Sequence, residues 1–411
     1  MVIVDPYSSG AMLAGELHAR GVKCIAVESS PQMPAAMKSG FNPDMFRCII
    51  QHDGDYGQTL HAVSRYQPAY VVAGSESGVE LAEKLAGELG LPANGATQRE
   101  ARRDKYLMAE AVRDKGLRTA LQFQSDDIEA IINWTKNTLD WPVIVKPPKS
   151  VASDDVSCCR SVDEVRKAGE RILSGTNVLG CRNLSVLVQE FLPGTEYVVD
   201  TVSYDSNRKT TAFWQYHRPP VAISGGFACY DAMTLLPYRG ERQDVMQSYV
   251  CGVLDALDIR FGPAHCELMW VDDEPVLIEI AARLTAGNNS ILSGICGGIS
   301  QLDETVDTML SPHRFLASMG VQPELKKRAV NLFLIPKRQG RLIRLRGLDE
   351  IRSLSTLHSM SVRAQLGDMI GRVAGLVTLV DEDIQSIERD VNVIRALEAD
   401  GIFEVEDVLH S

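Results

Sequence analysis

The stretch His265-Cys266-Glu267-Leu268-Met269-Trp270-Val271-Asp272-Asp273-Glu274-Pro275-Val276-Leu277-Ile278-Glu279-Ile280-Ala281-Ala282-Arg283 decides the reading of this chain. Its two arms are largely apolar and strand-like, and the acidic, proline-containing centre at 272–275 reads as a turn. A turn centred near residue 273 puts Glu267 opposite Glu279, because each lies six residues from it. Side chains in a strand alternate faces, so His265, Glu267, Glu279, Ala281 and Arg283 are expected on one face, with Ile278 and Ile280 on the other. Opposed carboxylates have Cβ atoms about 4.5–5.5 Å apart, where like charge is destabilising unless a cation intervenes. Mg2+ is commonly held by one or two carboxylates together with substrate phosphates, which makes the pair a candidate metal site. The plainer alternative is a solvated acidic face that binds nothing.

Upstream, residues 187–200 read as strand, turn, strand, and with the hairpin they imply an antiparallel lobe. Further upstream, Trp141-Pro142-Val143-Ile144-Val145-Lys146-Pro147-Pro148 reads as a strand that ends in a rigid turn. The small, polar segment 149–156 follows as a loop, and 161–173 as a helix. A charged helix over 99–115 carries Asp104-Lys105. In the first ninety residues short apolar runs at 2–4, 24–27 and 70–73 alternate with helical stretches at 10–20 and 79–89, which predicts parallel strands with crossover helices. The first turn, Tyr7-Ser8-Ser9-Gly10, lacks G-x-G-x-x-G. Gly10 and Gly15 have P-loop spacing, but Glu16-Leu17 stands where Lys and Ser/Thr are required, so both phosphate-binding fingerprints are disfavoured. Beyond the hairpin come the basic stretch 326–346, short strands near 373–380 and a helix over 384–398.

Composition bounds the function. The 411 residues suffice for several domains, and 45% hydrophobic with 23% charged residues describes a globular protein. A net charge of −12 advertises no broad basic face, which argues against nucleic acid and anionic lipid as partners. No apolar run approaches the roughly 18 residues that span a bilayer, and the opening Met-Val-Ile-Val is cut short by Asp5 and Pro6. Nine cysteines without C-x-x-C spacing read as buried thiols in a reducing cytoplasm.

These pieces, in this order, resemble the ATP-grasp superfamily and, within it, the L-amino acid ligases that make dipeptides. The resemblance rests on Asp104-Lys105, Val145-Lys146-Pro147, Gln189-Glu190-Phe191-Leu192, Gly194-x-Glu196 and the Glu267/Glu279 hairpin. The fold class it implies is α/β and α+β multidomain, with a doubly wound parallel-sheet domain at 1–95. A small lobe with a phosphate lid at 96–186, a large lobe at 187–325 with the hinge and the antiparallel metal hairpin, and an α+β segment at 326–411 packed on that lobe complete it. The resemblance assigns ATP phosphates to Lys105 and Lys146, adenine to the backbone of Glu190, Phe191 and Leu192, ribose to Glu196, and a lid containing Ser153 to 150–156. It gives Mg2+, or Mn2+, to Glu267 and Glu279, the transferred phosphoryl group to Arg283, and a cleft-facing position to His265; phosphate oxygens, water and His265 are the candidate acceptors of the amine's proton.

The implied activity is ATP-dependent condensation of an amino acid carboxylate, activated as an acyl phosphate, with an amine. Its substrates would be small molecules, and a homodimer is left open. A ligase for another acid and amine, or a nucleotide-binding protein without turnover, are the competing readings. The superfamily usually writes Glu-x-Asn-x-Arg where this chain has Glu279-Ile280-Ala281-Ala282-Arg283, so Ala281 stands in for Asn, with Asn288 and Asn289 nearby as replacement ligands or as simple turn residues. The segment Gly74-Ser75-Glu76-Ser77-Gly78 resembles one that faces the cleft, and Ser224-Gly225-Gly226 is a candidate for close substrate approach.

Overall fold

A computed structural model describes residues 1–218, 230–321, 323–362, 364–371 and 373–406. The Ser224-Gly225-Gly226 expectation lies outside the described residues. In β1 (Val2–Val4) the alternation of side chains sets up two layers. Ile3 packs against α1 (Ser9–Ala19), whereas Val2 and Val4 pack beneath α2 (Tyr56–Ser64) and α3 (Val79–Glu88). With β2 (Cys24–Glu28), β3 (Phe46–Gln51) and β4 (Val71–Ala73), β1 makes a parallel sheet of order β3-β2-β1-β4, the doubly wound unit expected. Apolar runs do not reveal β3, because it is an edge strand whose alternate residues are exposed.

The helix expected over 99–115 is shorter. It is α4 (Lys105–Asp114), and Asp104 is its N-cap, accepting from the N–H groups of Tyr106 and Leu107 at 2.9 and 3.1 Å. The cap places Lys105 at the first helical position. After it, β5 (Gln122–Ser125), β6 (Val143–Lys146), β7 (Ser157–Cys159) and β8 (Val186–Glu190) form an antiparallel sheet of order β5-β8-β6-β7. It is covered by α5 (Ile128–Thr138) and α6 (Val162–Ser174). Because β8 pairs with β5 and β6, the division expected between 186 and 187 cuts through this sheet, and the change of sheet falls after Glu190.

The next elements are β9 (Thr195–Tyr204), β10 (Asn207–His217), β11 (Ala232–Leu236), α7 (Glu241–Ala256), β12 (Gly262–Val271), β13 (Glu274–Ala281), α8 (Asn289–Gly297) and α9 (Gln301–Leu310). They are followed by β14 (Arg328–Leu334), β15 (Gly340–Leu345), β16 (Leu357–Val362), β17 (Met369–Ile370), β18 (Gly375–Asp381) and β19 (Phe403–Glu406). An antiparallel sheet runs β13-β12-β9-β10-β11-β14-β18-β16, so the C-terminal segment extends the large-lobe sheet as well as packing on it. On one face of that sheet, Met108 and Val112 of α4 join Val250, Val253 and Leu254 of α7 over Cys266, Leu268 and Ile280.

The β12–β13 hairpin brings Glu267 and Glu279 together by a different route from the one expected. Its turn has only Asp272 and Asp273, both with positive φ (52° and 62°), as a two-residue hairpin loop requires. That turn alone would pair Glu267 with Ile278. A bulge between Glu267 and Leu268 absorbs Ile278 and restores the Glu267–Glu279 pairing. The extra residue is not on the apolar face with Ile280: Ile278 packs with Met269, Val271 and Val276 and lines the cleft, while Ile280 lies in the core under α4 and α7.

Candidate active site

A cavity of about 580 Å³ opens where the parallel sheet, the β5-β8-β6-β7 sheet and the eight-stranded sheet converge. Lys105, Lys146, Ser153, Glu190, Phe191, Leu192, Glu196, His265, Glu267, Glu279 and Arg283 all line it. Except for Ser153, which lies in the loop between β6 and β7, they sit at or next to element ends or on strands: Lys105 starts α4, Lys146 ends β6, and 190–192 cross from β8 to β9. Gly74 follows β4 so closely packed that a Cβ there would lie 2.5 Å from the Asp5 carbonyl oxygen, and one on Gly10 would lie 2.5 Å from Gly74 Cα. Only glycine allows this approach, and it carries Ser75 and Glu76 to the cavity wall.

Charges in the cavity compensate one another. Lys105 Nζ is 2.8 Å from Glu279 Oε2 and donates to the Ser150 carbonyl at 2.8 Å. Although burial opposes ionisation, Lys105, Lys146 and Arg283 hold the Glu279 carboxyl down to about 2. Burial and the neighbouring Lys105 charge pull Lys146 down to about 8, against the attraction of Glu279, Glu267 and Glu196. Burial and the Glu267 charge push Glu196 up to about 7, although Arg218 and Tyr230 both donate to it, Tyr230 at 2.7 Å. Arg283 Nε donates to Glu76 Oε2 at 2.8 Å, and Arg103 takes the other oxygen.

His265 lies between two carboxylates, with Nδ1 2.7 Å from Asp200 Oδ1 and Nε2 3.3 Å from Glu267 Oε1. Burial works against its protonation, but Asp200 and Glu267 outweigh burial and raise it to about 9. The two flanking carboxylates favour the protonated ring, which weighs against His265 as the acceptor of the amine's proton. Sequence reading missed Asp200. Its signal was parity: on β9 it shares the face of Glu196, and it pairs with His265 in register.

The lid is built from unexpected parts. Asp154 and Asp155 stand where glycines are common, and both are used internally. Asp154 accepts from Ser150 Oγ at 2.7 Å and Val178 N–H at 3.0 Å, and Asp155 accepts from Arg171 Nε at 2.8 Å. Val151 packs with Tyr7, Met33 and Leu179, which fixes the lid against the first domain over the cavity. Asn288 and Asn289 line the cavity, whereas Ala281 is buried opposite His265.

The donor set fits a hard divalent cation. Glu267 and Glu279 offer only oxygen ligands, and the chain-reversed pair faces the cavity beside two lysines suited to phosphate. Among the described residues Glu267 and Glu279 belong to no larger cluster of His, Cys, Asp or Glu side chains placed to hold a metal.

Residues 139–291 match the ATP-grasp domain family. Over 347 residues the chain is 31% identical to dapdiamide A synthase of Enterobacter agglomerans, covering 83% of this chain and 81% of that protein. The chain belongs to the ATP-grasp family of ATP-dependent carboxylate–amine ligases. Among solved structures, the L-amino acid ligase of Bacillus licheniformis superposes on this ATP-grasp protein with a TM-score of 0.77 at 17% identity, over 99% of this chain and 98% of that one. Carboxyaminoimidazole ribonucleotide synthase of Aspergillus clavatus, solved with ATP, gives 0.70 at 14% identity over 97% and 98%. At these identities the two structures speak for the fold alone. Among the described residues of this ATP-grasp chain, no helix is long and apolar enough to cross a membrane.

Proposed function

We propose that this ATP-grasp protein activates the carboxylate of one amino acid with ATP and joins it to the amino group of a second, giving a dipeptide, ADP and phosphate. The observation that carries the reading is the convergence of Lys105, Lys146 and Arg283 with the Glu267/Glu279 pair in one lidded cavity. In the first step a carboxylate oxygen of the acid bonds to the γ-phosphorus as its bond to ADP breaks, giving an acyl phosphate. In the second the amine attacks the carbonyl carbon, the bond to phosphate breaks, and the amine's proton passes to a phosphate oxygen or to water. Mg2+ or Mn2+ held by Glu267 and Glu279 neutralises phosphate oxygens when bound.

Lys105 and Lys146 meet the phosphates, the 190–192 crossing meets adenine, and Glu196 meets ribose. Arg283, fixed by Glu76, steadies the transferred group, and the lid keeps water from the acyl phosphate. His265, held by Asp200 on one side, orients Glu267 on the other. The similarity to dapdiamide A synthase supports this reading over a ligase of the carboxyaminoimidazole ribonucleotide synthase type.

The test is ADP release from purified protein with Mg2+ and ATP, with and without mixed amino acids, and mass detection of condensed products. Stimulated release with a dipeptide mass is expected. Release that answers only to other acids and amines points to a different ligase, and no turnover with any pair leaves a nucleotide-binding protein.

A further inference from the structure

Besides the bulge that restores the Glu267–Glu279 pairing, the eight-stranded sheet has a second one nearby, in β9–β10, where Thr211 is the extra residue. Before it Thr210 pairs with Thr201. After it Ala212 pairs with Asp200, Trp214 with Val198 and Gln215 with Tyr197. A one-residue slip moves every side chain to the other face, so without the bulge Trp214 would leave the face that carries Glu196, Val198 and Asp200. Thr211 Oγ1 donates to the Asp200 carbonyl at 3.2 Å, and Tyr238 Oη donates to the Thr211 carbonyl at 2.9 Å, which fixes the bulge.

The indole it brings across belongs to an apolar cluster with Val198, Leu235, Leu292 and Ala329, yet its nitrogen meets a carboxylate. Trp214 Nε1 can only donate, and it gives its N–H to Asp200 Oδ2 at 3.1 Å. Asp200 Oδ1 lies 2.7 Å from His265 Nδ1, and His265 Nε2 lies 3.3 Å from Glu267 Oε1. Trp214 and Asp200 are both 0% exposed, so the series of contacts starts in the core, and it ends at Glu267 in the cavity wall. A polar group is costly to bury unless it is bonded, and both oxygens of Asp200 are. Among the described residues His265 is the one side chain bonded to Glu267, whereas Glu279 has Lys105.

We propose that Trp214 is a positioning residue for the metal carboxylate Glu267, acting through Asp200 and His265. With Oδ2 taken by the indole, Asp200 presents Oδ1 to the imidazole in one orientation, and the imidazole in turn presents Nε2 to Glu267. A carboxylate held in place before the cation arrives has less freedom to lose on binding it. Partners of this kind, one bond removed from a ligand, typically contribute about 10–100-fold in metal affinity. This inference rests on the cation assignment within the ligase reading, and it names what holds one of the two carboxylates.

The experiment is titration of the full chain with Mn2+, followed by electron paramagnetic resonance, in the presence of a non-hydrolysable ATP analogue. The proteins are the parent, Trp214→Phe, Asp200→Asn, their double variant, Glu267→Gln and Leu235→Ala. Leu235 is the cross-strand neighbour of Trp214 and lies two strands from Asp200, so it controls for lost packing. Should Trp214→Phe fail to fold, 3-benzothienylalanine at position 214 keeps the bicyclic shape and removes only the N–H. The Mn2+ dissociation constant is expected to rise about tenfold in Asp200→Asn and about three- to tenfold on loss of the indole N–H, with Leu235→Ala unchanged. The double variant is expected to lose no more than Asp200→Asn alone, because the indole acts through Asp200. Additive losses, parent-like Mn2+ binding without the indole N–H, or an equal loss in Leu235→Ala overturns the positioning role. When Glu267→Gln loses Mn2+ in the same series, that failure leaves the cation assignment standing. Parent-like Mn2+ binding in Glu267→Gln sinks the cation assignment, and the positioning role with it.

Discussion

Arg283 Nε donates to Glu76 Oε2 at 2.8 Å, joining the loop after β13 to the segment after β4 across 207 residues of sequence. Arg103 bonds the other oxygen, and although burial opposes it, these two guanidinium groups hold the Glu76 carboxyl below the usual range. Removing one member of a buried charged cluster leaves the others uncompensated, at about 3–5 kcal/mol. Glu76→Gln is therefore expected to lower the melting temperature and to cut kcat for ADP release by about 10–100-fold, with a smaller change in the KM for ATP. An unchanged kcat would show that Arg283 needs no such anchor.

Glu279 answers to two demands: it pairs with Glu267 across the hairpin and with Lys105 at 2.8 Å. Glu279→Gln keeps the shape but removes the charge that both a divalent cation and Lys105 require. ADP formation is expected to fall by orders of magnitude, with a circular dichroism spectrum close to that of the parent. Near-normal turnover would remove the metal assignment.

The Glu267–Glu279 pairing was legible in the sequence although the turn was not. A turn centred on residue 273 and a two-residue turn followed by a bulge at Ile278 end in the same pairing, because the bulge adds the one residue by which the two turns differ. Parity survives such substitutions, which is why the polar face was readable and the position of Ile278 was not. The lysines were legible because each ends or begins an element with a strong local signal, the Asp104 cap and the Val143–Lys146 run. Asp200 and Arg103 were not. Each acts on a partner far away in the chain, and the mutual orientation of the sheets that joins them is written in no local pattern.

His265 ties stability to pH. Its ordinary value is 6.5, and the flanking Asp200 and Glu267, outweighing burial, raise it to about 9 in the folded protein. The folded state then holds a proton that the unfolded state releases first, so the contribution is fully present below about 6.5 and is lost as pH rises through about 9. Urea midpoints measured from pH 6 to 9.5 should fall more steeply for the parent than for His265→Gln. Lys146 works in the opposite direction between about 8 and 10.5, because its folded value is lowered, so the comparison must be made between the two proteins at each pH. Parallel curves would mean that the ring is neutral in the fold.

Ala281 occupies the position where the wider superfamily usually has Asn. It shares the strand face of Glu279, pairs with His265 in register and is 4% exposed. Asparagine there adds a carbonyl oxygen two residues from a metal carboxylate, and it also adds atoms to a filled site, where overpacking costs about 1–3 kcal/mol. The two effects separate experimentally. Ala281→Asn is expected to lower the melting temperature and, at the same time, to reduce the Mg2+ concentration for half-maximal ADP release by about three- to tenfold, which corresponds to roughly 0.7–1.4 kcal/mol of added affinity. A fall in stability with an unaltered Mg2+ dependence would place residue 281 behind the ligand sphere, and would leave Glu267, Glu279, substrate oxygens and water as the ligands.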